Sequence, residues 1–283
     1  MLATRDTFGT QLVESAKKNE NIIALSADLA KATRLSKFKD SIPERFFEVG
    51  IAECNMIGIA SGMSEYGYKV FLASFASFLT GKYDVIRVSI GYSCAPVVLV
   101  GTHAGLAIGR DGVTQMGLED VSIMRSIPNM AVIQPSTPNE ARIITKYLAE
   151  TKLDHPVYLR LGRQPVPEVL PEDYKFKFGK GTVLRDGSDI TLLSSGCILP
   201  EVLKAADILE EKNISCRVIN IHAIKPIDKD IILKASVETR KIVTIEDHSV
   251  IGGLGSAVAE VLCEHCPTRM VRIGLNDCFP ESG

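Results

Sequence analysis

Residues 69–101 read KVFLASFASFLTGKYDVIRVSIGYSCAPVVLVG. The stretch opens on an apolar, β-prone run (KVFLA, 69–73) and passes through an amphipathic segment from Phe78 to Tyr92. It returns to a second β-prone run (PVVLVG, 96–101). Strand, helix and strand within so short a span, both strands almost continuously apolar, predict neighbouring parallel strands covered on both faces. The alternation continues outward in both directions. Further strand candidates are IIALSA (22–27), RFFEV (45–49), MAVIQ (130–134) and PVYLRL (156–161), with helical patterns over Thr7–Asn19, Ala52–Glu65 and Asn139–Glu150. The expected fold class is α/β, built on a doubly wound, mostly parallel sheet.

The pattern breaks at QPVPEVLPED (164–173), where three prolines disfavour both helix and central strand. A second alternation follows: DITLLSS (189–195), a helix from Pro200 to Lys212, SCRVINI (215–221), a helix near Lys229–Val237, and KIVTIED (241–247). A glycine-rich turn (Gly252, Gly253, Gly255) then leads into a helix up to His265 and a last strand, MVRIGL (270–275). The division expected is a larger domain over 1–163, a linker over 164–178 and a second, smaller α/β domain over 179–283. A further helix after the last strand would be normal for such a domain.

Composition narrows the function classes. Of 283 residues, 46% are apolar, enough for a sizeable core, and the net charge of -2 does not suggest a nucleic-acid or membrane-surface partner, which would usually need a basic face. No apolar run reaches the ~20 residues that span a bilayer. The N-terminal MLATRDTFGTQLVESAKK carries early charge and no apolar signal core. Seven irregularly spaced cysteines read as reduced thiols, and a cytoplasmic location is expected. Cys263 and Cys266 form CEHC, but a zinc site needs a second ligand pair at matching spacing, so a helix end with two thiols is the expectation there.

Three segments carry chemistry. In VGIAECNMIG (49–58), Glu53 follows a strand and a glycine and begins a helix, with Val49, Ile51, Ala52, Met56 and Ile57 around it. An acid in a first helical turn interacts well with the helix dipole. A carboxyl among apolar side chains can, beyond that, share a proton with a ligand nitrogen. In LVGTHAGLAIGRDGVTQMGLED (99–120) an apolar strand ends in a long polar loop bearing His103, Asp111, Thr114 and Gln115. Ligands of doubly wound folds bind outside the carboxyl ends of strands, so this loop is a site candidate. In FASF (75–78) two aromatic rings follow a strand, a pattern that by itself means core packing.

Together these segments resemble the transketolase family. RFFEVGIAECNMIGIASG resembles the strand leading into the catalytic glutamate, SFASFLTGKYDVIR the aromatic stretch beside the cofactor's pyrimidine, and GTHAGLAIGRDGVTQMGLEDVSIMRSIPN the substrate loop. ATRDTFG, ALSADLA, INIHAIKPID and TIEDHSVIGGLGSAVAE extend the resemblance through nearly all of the chain. It implies a pyrimidine-binding domain followed by the family's C-terminal domain. The GDG motif of the family's diphosphate-binding domain is not found; RDG occurs twice. The chain is therefore expected to be the C-terminal subunit of a split transketolase. Thiamine diphosphate would be its cofactor, and Mg2+ or Ca2+ would be held by a separate N-terminal, diphosphate-binding subunit. The assembly expected is a heterotetramer with a dimer core of this chain, acting on sugar phosphates.

By the same resemblance, Glu53 bonds a ring nitrogen of the aminopyrimidine, Phe75 and Phe78 stack on that ring, and Ile51 adjoins the pocket. Asp28 lies near thiazolium and substrate. Arg5, Arg163 and His103 contact the sugar phosphate, a chemistry suited to guanidinium donors. Asp111 recognises a substrate hydroxyl, and Gln115 stands where many microbial members have histidine. Glu246, Asp247 and His248 (EDH) are expected to serve structure or a subunit contact. Two departures bear on the substrate: Ala32, beside Thr33, stands near the family's phosphate-contacting serine, and Arg110 replaces the acid usual before the loop's DG. The alternatives are a beta-type subunit of a 2-oxo-acid dehydrogenase, a deoxyxylulose-phosphate synthase-like protein, or a non-catalytic assembly subunit.

Overall fold

The computed structural model describes residues 1–281. Its large sheet has seven strands in the order Ala223–Lys225, Ala131–Ile133, Val157–Arg160, Val98–Thr102, Lys69–Phe75, Ile22–Ser26, Phe46–Glu48. All of its pairings are parallel except the outermost, where Ala223–Lys225 runs antiparallel to Ala131–Ile133. The chain runs outward from Ile22–Ser26 to Phe46–Glu48, then crosses to the other side at Lys69–Phe75. That reversal creates a crevice at the carboxyl ends of Ile22–Ser26 and Lys69–Phe75, the place where such sheets bind ligands. Both faces are covered. Ile23, Leu25, Val70, Leu72 and Leu99 pack into one core cluster. Ile22, Ala24, Phe71, Ala73 and Val98 pack into another, with Phe8 and Leu12 of the helix Thr4–Ala16. Residues one apart thus face opposite cores, as the pleat requires.

The second sheet has five strands: Arg269–Leu275, Lys241–Ser249, Ile190–Ser194, Cys216–Asn220, Thr182–Arg185. Helices Leu199–Glu210, Lys229–Thr239 and Leu254–His265 cover it. CEHC closes the last of these, with Cys266 as its C-cap.

Four features depart from the sequence reading. The helix expected over Phe78–Tyr92 is interrupted at Gly81 and Lys82: Ala76–Thr80 precedes them, and one continuous helix over 83–92 follows, α-helical at Tyr83–Val85 and π-helical over Ile86–Tyr92. Gly81 ends the first piece, and the π turn brings the carbonyl of Ser89 within 2.6 Å of the Ser61 hydroxyl on helix Glu53–Glu65. Pro165–Val166, inside the proline-rich stretch, pairs with Leu2–Ala3 as a two-residue edge ribbon, a position where proline is tolerated. The short strands Ala223–Lys225 and Thr182–Arg185 were not foreseen; each is too short to carry a period. Ala223–Lys225, from the C-terminal half, completes the large sheet.

Candidate functional site

Glu53 is the first residue of helix Glu53–Glu65 and is 7% exposed. The chain reaches it through Gly50, whose φ of 73° turns the backbone between strand Phe46–Glu48 and the helix. The Ser74 hydroxyl donates to Glu53 Oε1 at 3.3 Å. Among the described residues, no hydrogen bond reaches Oε2. A sheltered carboxylate with one oxygen left for a ligand suits a ring nitrogen or amine of a pyrimidine, so the residues present fit that part of thiamine diphosphate.

A chain of hydrogen bonds runs from Glu53 to the neighbouring cleft. The Ser74 carbonyl accepts from the Thr102 hydroxyl at 3.3 Å, and Thr102 Oγ1 lies 3.0 Å from His103 Nδ1. Because the Thr102 proton is used on Ser74, its oxygen accepts from Nδ1–H. That tautomer leaves His103 Nε2 to accept from Arg5 Nη1 at 3.0 Å. Burial first, then Arg5, Arg163 and Arg34, push the His103 pKa down to about 3. His103 is therefore a neutral acceptor that orients Arg5. Burial, then the charge of Arg34, pushes Arg5 down to about 10. Arg5 Nη1 also donates to the Ala32 carbonyl at 2.9 Å, while its Nε is buried without a partner.

The cleft has a volume of about 380 Å³ and brings together Arg5, Asp28, Phe75, His103, Asp111 and Arg163. Arg163 Nη1 donates to Asp111 Oδ2 at 2.6 Å and to the Ile108 carbonyl, tying the segment after Val157–Arg160 to the long loop. The Phe75 ring packs 3.8 Å from that of His103 and 5.1 Å from that of Phe78, centroid to centroid. Phe75 is buried and Phe78 half-buried. Gln115 is half-buried, pairs with Thr114 and does not line the cleft; Ile51 is exposed. Ser74, Thr102, Lys31 and Arg34 belong to the site but escaped the sequence reading. Lys31 and Arg34 lie in a charged run, ADLAKATR, that looks solvated in sequence. Thr33, beside Ala32, is fully buried and its hydroxyl is spent on the Leu29 carbonyl at 2.9 Å.

The loop carrying Asp111 is fastened at its neck by a fully buried arginine. Arg160 donates to both Asp120 oxygens (3.1 and 2.8 Å), to Asp247 Oδ1 (2.7 Å), and to the carbonyls of Gly117 (2.9 Å) and Asp247 (3.1 Å). The loop's two ends pair through Gly105 N–H on the Gly117 carbonyl at 2.9 Å. Gly105 has φ 80°, and a Cβ there would fall 2.2 Å from Asp247 Oδ2. The EDH residues thus act inside the chain: Glu246 caps helix Leu254–His265 at Leu254 and Gly255, and His248 Nε2 accepts from Val121 N–H.

Two family models match the chain. That for the transketolase pyrimidine binding domain covers residues 1–168, and that for the transketolase C-terminal domain covers 179–283. The chain belongs to the transketolase family. Among transketolase relatives, a putative transketolase C-terminal section of Methanocaldococcus jannaschii is 42% identical, over 99% of this chain and 88% of its own length. A 6-deoxy-6-sulfo-D-fructose transketolase subunit of Clostridium sp. (strain MSTE9) is 41% identical over 99% of this chain and 86% of its own. A solved structure, described as a split gene transketolase in an inactive beta4 tetramer, superposes with a TM-score of 0.91 at 43% identity. The match covers 99% of this chain and 90% of that one.

Proposed function

We propose that this chain is the C-terminal subunit of a two-chain, thiamine diphosphate-dependent transketolase of the cytoplasm. With an N-terminal subunit that holds the diphosphate and Mg2+ or Ca2+, it would transfer a two-carbon ketol unit from a ketose phosphate to an aldose phosphate. The observation that carries this reading is the hydrogen-bonded path from the sheltered Glu53 carboxyl, through Ser74, Thr102 and His103, to a basic cleft. Support also comes from relatives of similar length named as transketolase sections or subunits.

Thiamine diphosphate, when bound, supplies the electron sink for breaking and making the carbon–carbon bond. Each residue then has a defined task. Glu53 holds a proton between its free oxygen and a pyrimidine nitrogen, and the apolar surround keeps water from competing for it. Phe75 and Phe78 would offer aromatic faces to the ring, and Asp28, which lines the cleft with Phe75, would adjoin cofactor and sugar. Arg5 and Arg163 hold the anionic end of the sugar; His103 fixes the first, and Asp111 fixes the second while accepting from a sugar hydroxyl. Gln115 adjusts the loop's fit to the sugar. Exposed apolar side chains along the helix that Glu53 begins support a partner surface: Ile51 precedes it, Tyr66 caps its far end, and Val88 and Tyr92 lie on the π-helical segment that bonds to Ser61. A two-plus-two heterotetramer around a dimer of this chain is the assembly proposed.

The test is reconstitution with the N-terminal subunit, thiamine diphosphate and Mg2+. Carbon transfer from xylulose 5-phosphate to an aldose phosphate is expected. Condensation or oxidative decarboxylation of pyruvate in its place would favour the synthase-like or dehydrogenase reading. An assembled complex inert to both would favour a non-catalytic subunit.

A further inference from the structure

We propose that Glu48 is a positioning residue of the site: a single oxygen of its carboxylate ties together the two turns that carry Asp28 and Glu53. The inference rests on the functional reading above and adds to it a residue outside the cleft.

Strands Ile22–Ser26 and Phe46–Glu48 run parallel and end level, with Ser26 beside Glu48. One more ladder bond follows, from the Val49 N–H to the Ser26 carbonyl at 3.0 Å. Beyond it the two backbones part. Phe46–Glu48 is an edge strand of the large sheet, so no further strand steadies its end. The N–H groups of Asp28 and Gly50 then go to the same atom. Asp28 N–H donates to Glu48 Oε1 at 2.6 Å, and Gly50 N–H donates to it at 3.4 Å. A carboxylate oxygen has lone pairs for two donors, and bonds to a charged acceptor are the stronger kind. The contact to Asp28 dominates and the longer one to Gly50 supplements it.

Both turns need such a fastening. Asp28 has φ 60° and Gly50 φ 73°, so both lie in the left-handed region. Glycine adopts it freely, whereas a non-glycine residue stays there only where its surroundings hold it. At Asp28 the surroundings are Glu48 Oε1 and, one residue on, the Ser26 hydroxyl, which accepts from the Leu29 N–H at 3.2 Å. The two turns lead to opposite ends of the site. Asp28 lines the cleft with Phe75 and His103, while Gly50 precedes Glu53, the first residue of its helix. Glu48 itself does not line the cleft. It sets the offset between the carboxyl that would meet the pyrimidine and the cleft that would take the sugar. A misplacement of about 1 Å can cost a reaction about 100-fold, so this offset matters to chemistry more than to folding.

The test has two arms. In the first, hydrogen exchange of the full chain alone is followed by mass spectrometry for wild type, Glu48→Ala and Glu48→Gln. The amides of Asp28 and Gly50 should exchange about tenfold faster in Glu48→Ala; Glu48→Gln, whose amide oxygen still accepts, should lie closer to wild type. Exchange over Ile190–Ser194, in the second sheet, should not change, which separates release of the two turns from unfolding. In the second arm, complexes reconstituted with the N-terminal subunit are compared for thiamine diphosphate affinity and for ketol transfer at saturating cofactor. Glu48→Ala should lower kcat about 30-fold and weaken cofactor binding about tenfold, with KM for the ketose phosphate changed less than about twofold. KM is spared because Arg5 and Arg163 are held by His103 and Asp111. Glu48→Gln should recover most of both losses. Unchanged exchange at Asp28 and Gly50 in Glu48→Ala would overturn the proposed tie. Faster exchange with wild-type kcat and cofactor affinity would overturn the positioning role, and so would equal losses in the two variants. A wild-type complex without ketol transfer would refute the functional reading instead, and the exchange and cofactor measurements would still decide on Glu48.

Discussion

His103 shows how surroundings decide what a side chain can do. The family resemblance makes it a contact of the sugar phosphate, and its surroundings fix the form in which it would act: it is 3% exposed, and burial first, then the arginines around it, push its pKa down to about 3. An NMR titration of its imidazole should therefore find it neutral from pH 8 down to about pH 4; a transition near 6.5 would refute this. A second buried pair makes a stability prediction. Burial pushes Glu140 up to about 7 from 4.5, against hydrogen bonds from Tyr174, the Ser136 N–H and Asn220. Burial pushes His222, 3.5 Å away, down to about 4 from 6.5. The signs oppose. The unfolded chain binds more protons at His103 and His222, so stability from them is full above pH 6.5 and lost as pH falls towards 4 and 3. At Glu140 the folded state keeps the proton longer, so its contribution is full below pH 4.5 and lost as pH rises through about 7. Glu140→Gln should therefore steepen the rise of stability between pH 5 and 7 in urea unfolding; an unchanged slope would show that Glu140 does not titrate there.

Legibility at this scale followed local context. Glu53 stood out because its flanks are apolar. Arg160 did not, because an arginine in PVYLRL gives no hint that Asp120 and Asp247, 40 and 87 positions away, surround it. Arg34 and Lys31 were hidden for the opposite reason: charged residues in a polar turn look solvated until the turn's left-handed residue and its seat on a neighbouring helix are seen.

Among the elements, long apolar strands are legible to within two residues at their ends, as Lys69–Phe75 against 69–73 and Val98–Thr102 against 96–101 show, because burial on both faces leaves an unbroken signal. The stretch after Lys69–Phe75 reads as one helix and is two, Ala76–Thr80 and a helix over 83–92 that winds as π from Ile86; amphipathic spacing registers neither the break at Gly81 nor the change of winding. The long loop is a site candidate in sequence, but what holds it is not legible there. Its neck is fixed by Arg160 and Asp247, so Asp247→Ala should destabilise the chain by about 3 kcal/mol in chemical denaturation, since it strips a fully buried guanidinium of one partner. The same variant should raise KM for the phosphorylated ketose, because Asp111 rides on that loop. A loss of stability below about 0.5 kcal/mol would mean the pair is incidental to the fold.

For the whole molecule, alternation of strand and helix gave the α/β architecture and both sheets. It could not show that Ala223–Lys225 returns to finish the large sheet, since three residues carry no period and the pairing spans the chain. The carboxyl-end crevice brings Glu53 and the cleft to one rim of the sheet, and the proposed partner would face them across the cofactor. This chain by itself should accordingly bind thiamine diphosphate more weakly than micromolar in equilibrium titration, and tightly once the N-terminal subunit is added; micromolar binding by the lone chain would contradict that division of labour. The most direct measurement is ketol transfer by the reconstituted complex carrying Glu53→Gln. The predicted result is activity lower by about 10²–10⁴-fold with assembly and folding intact. A Glu53→Gln complex as active as the wild type would contradict the account.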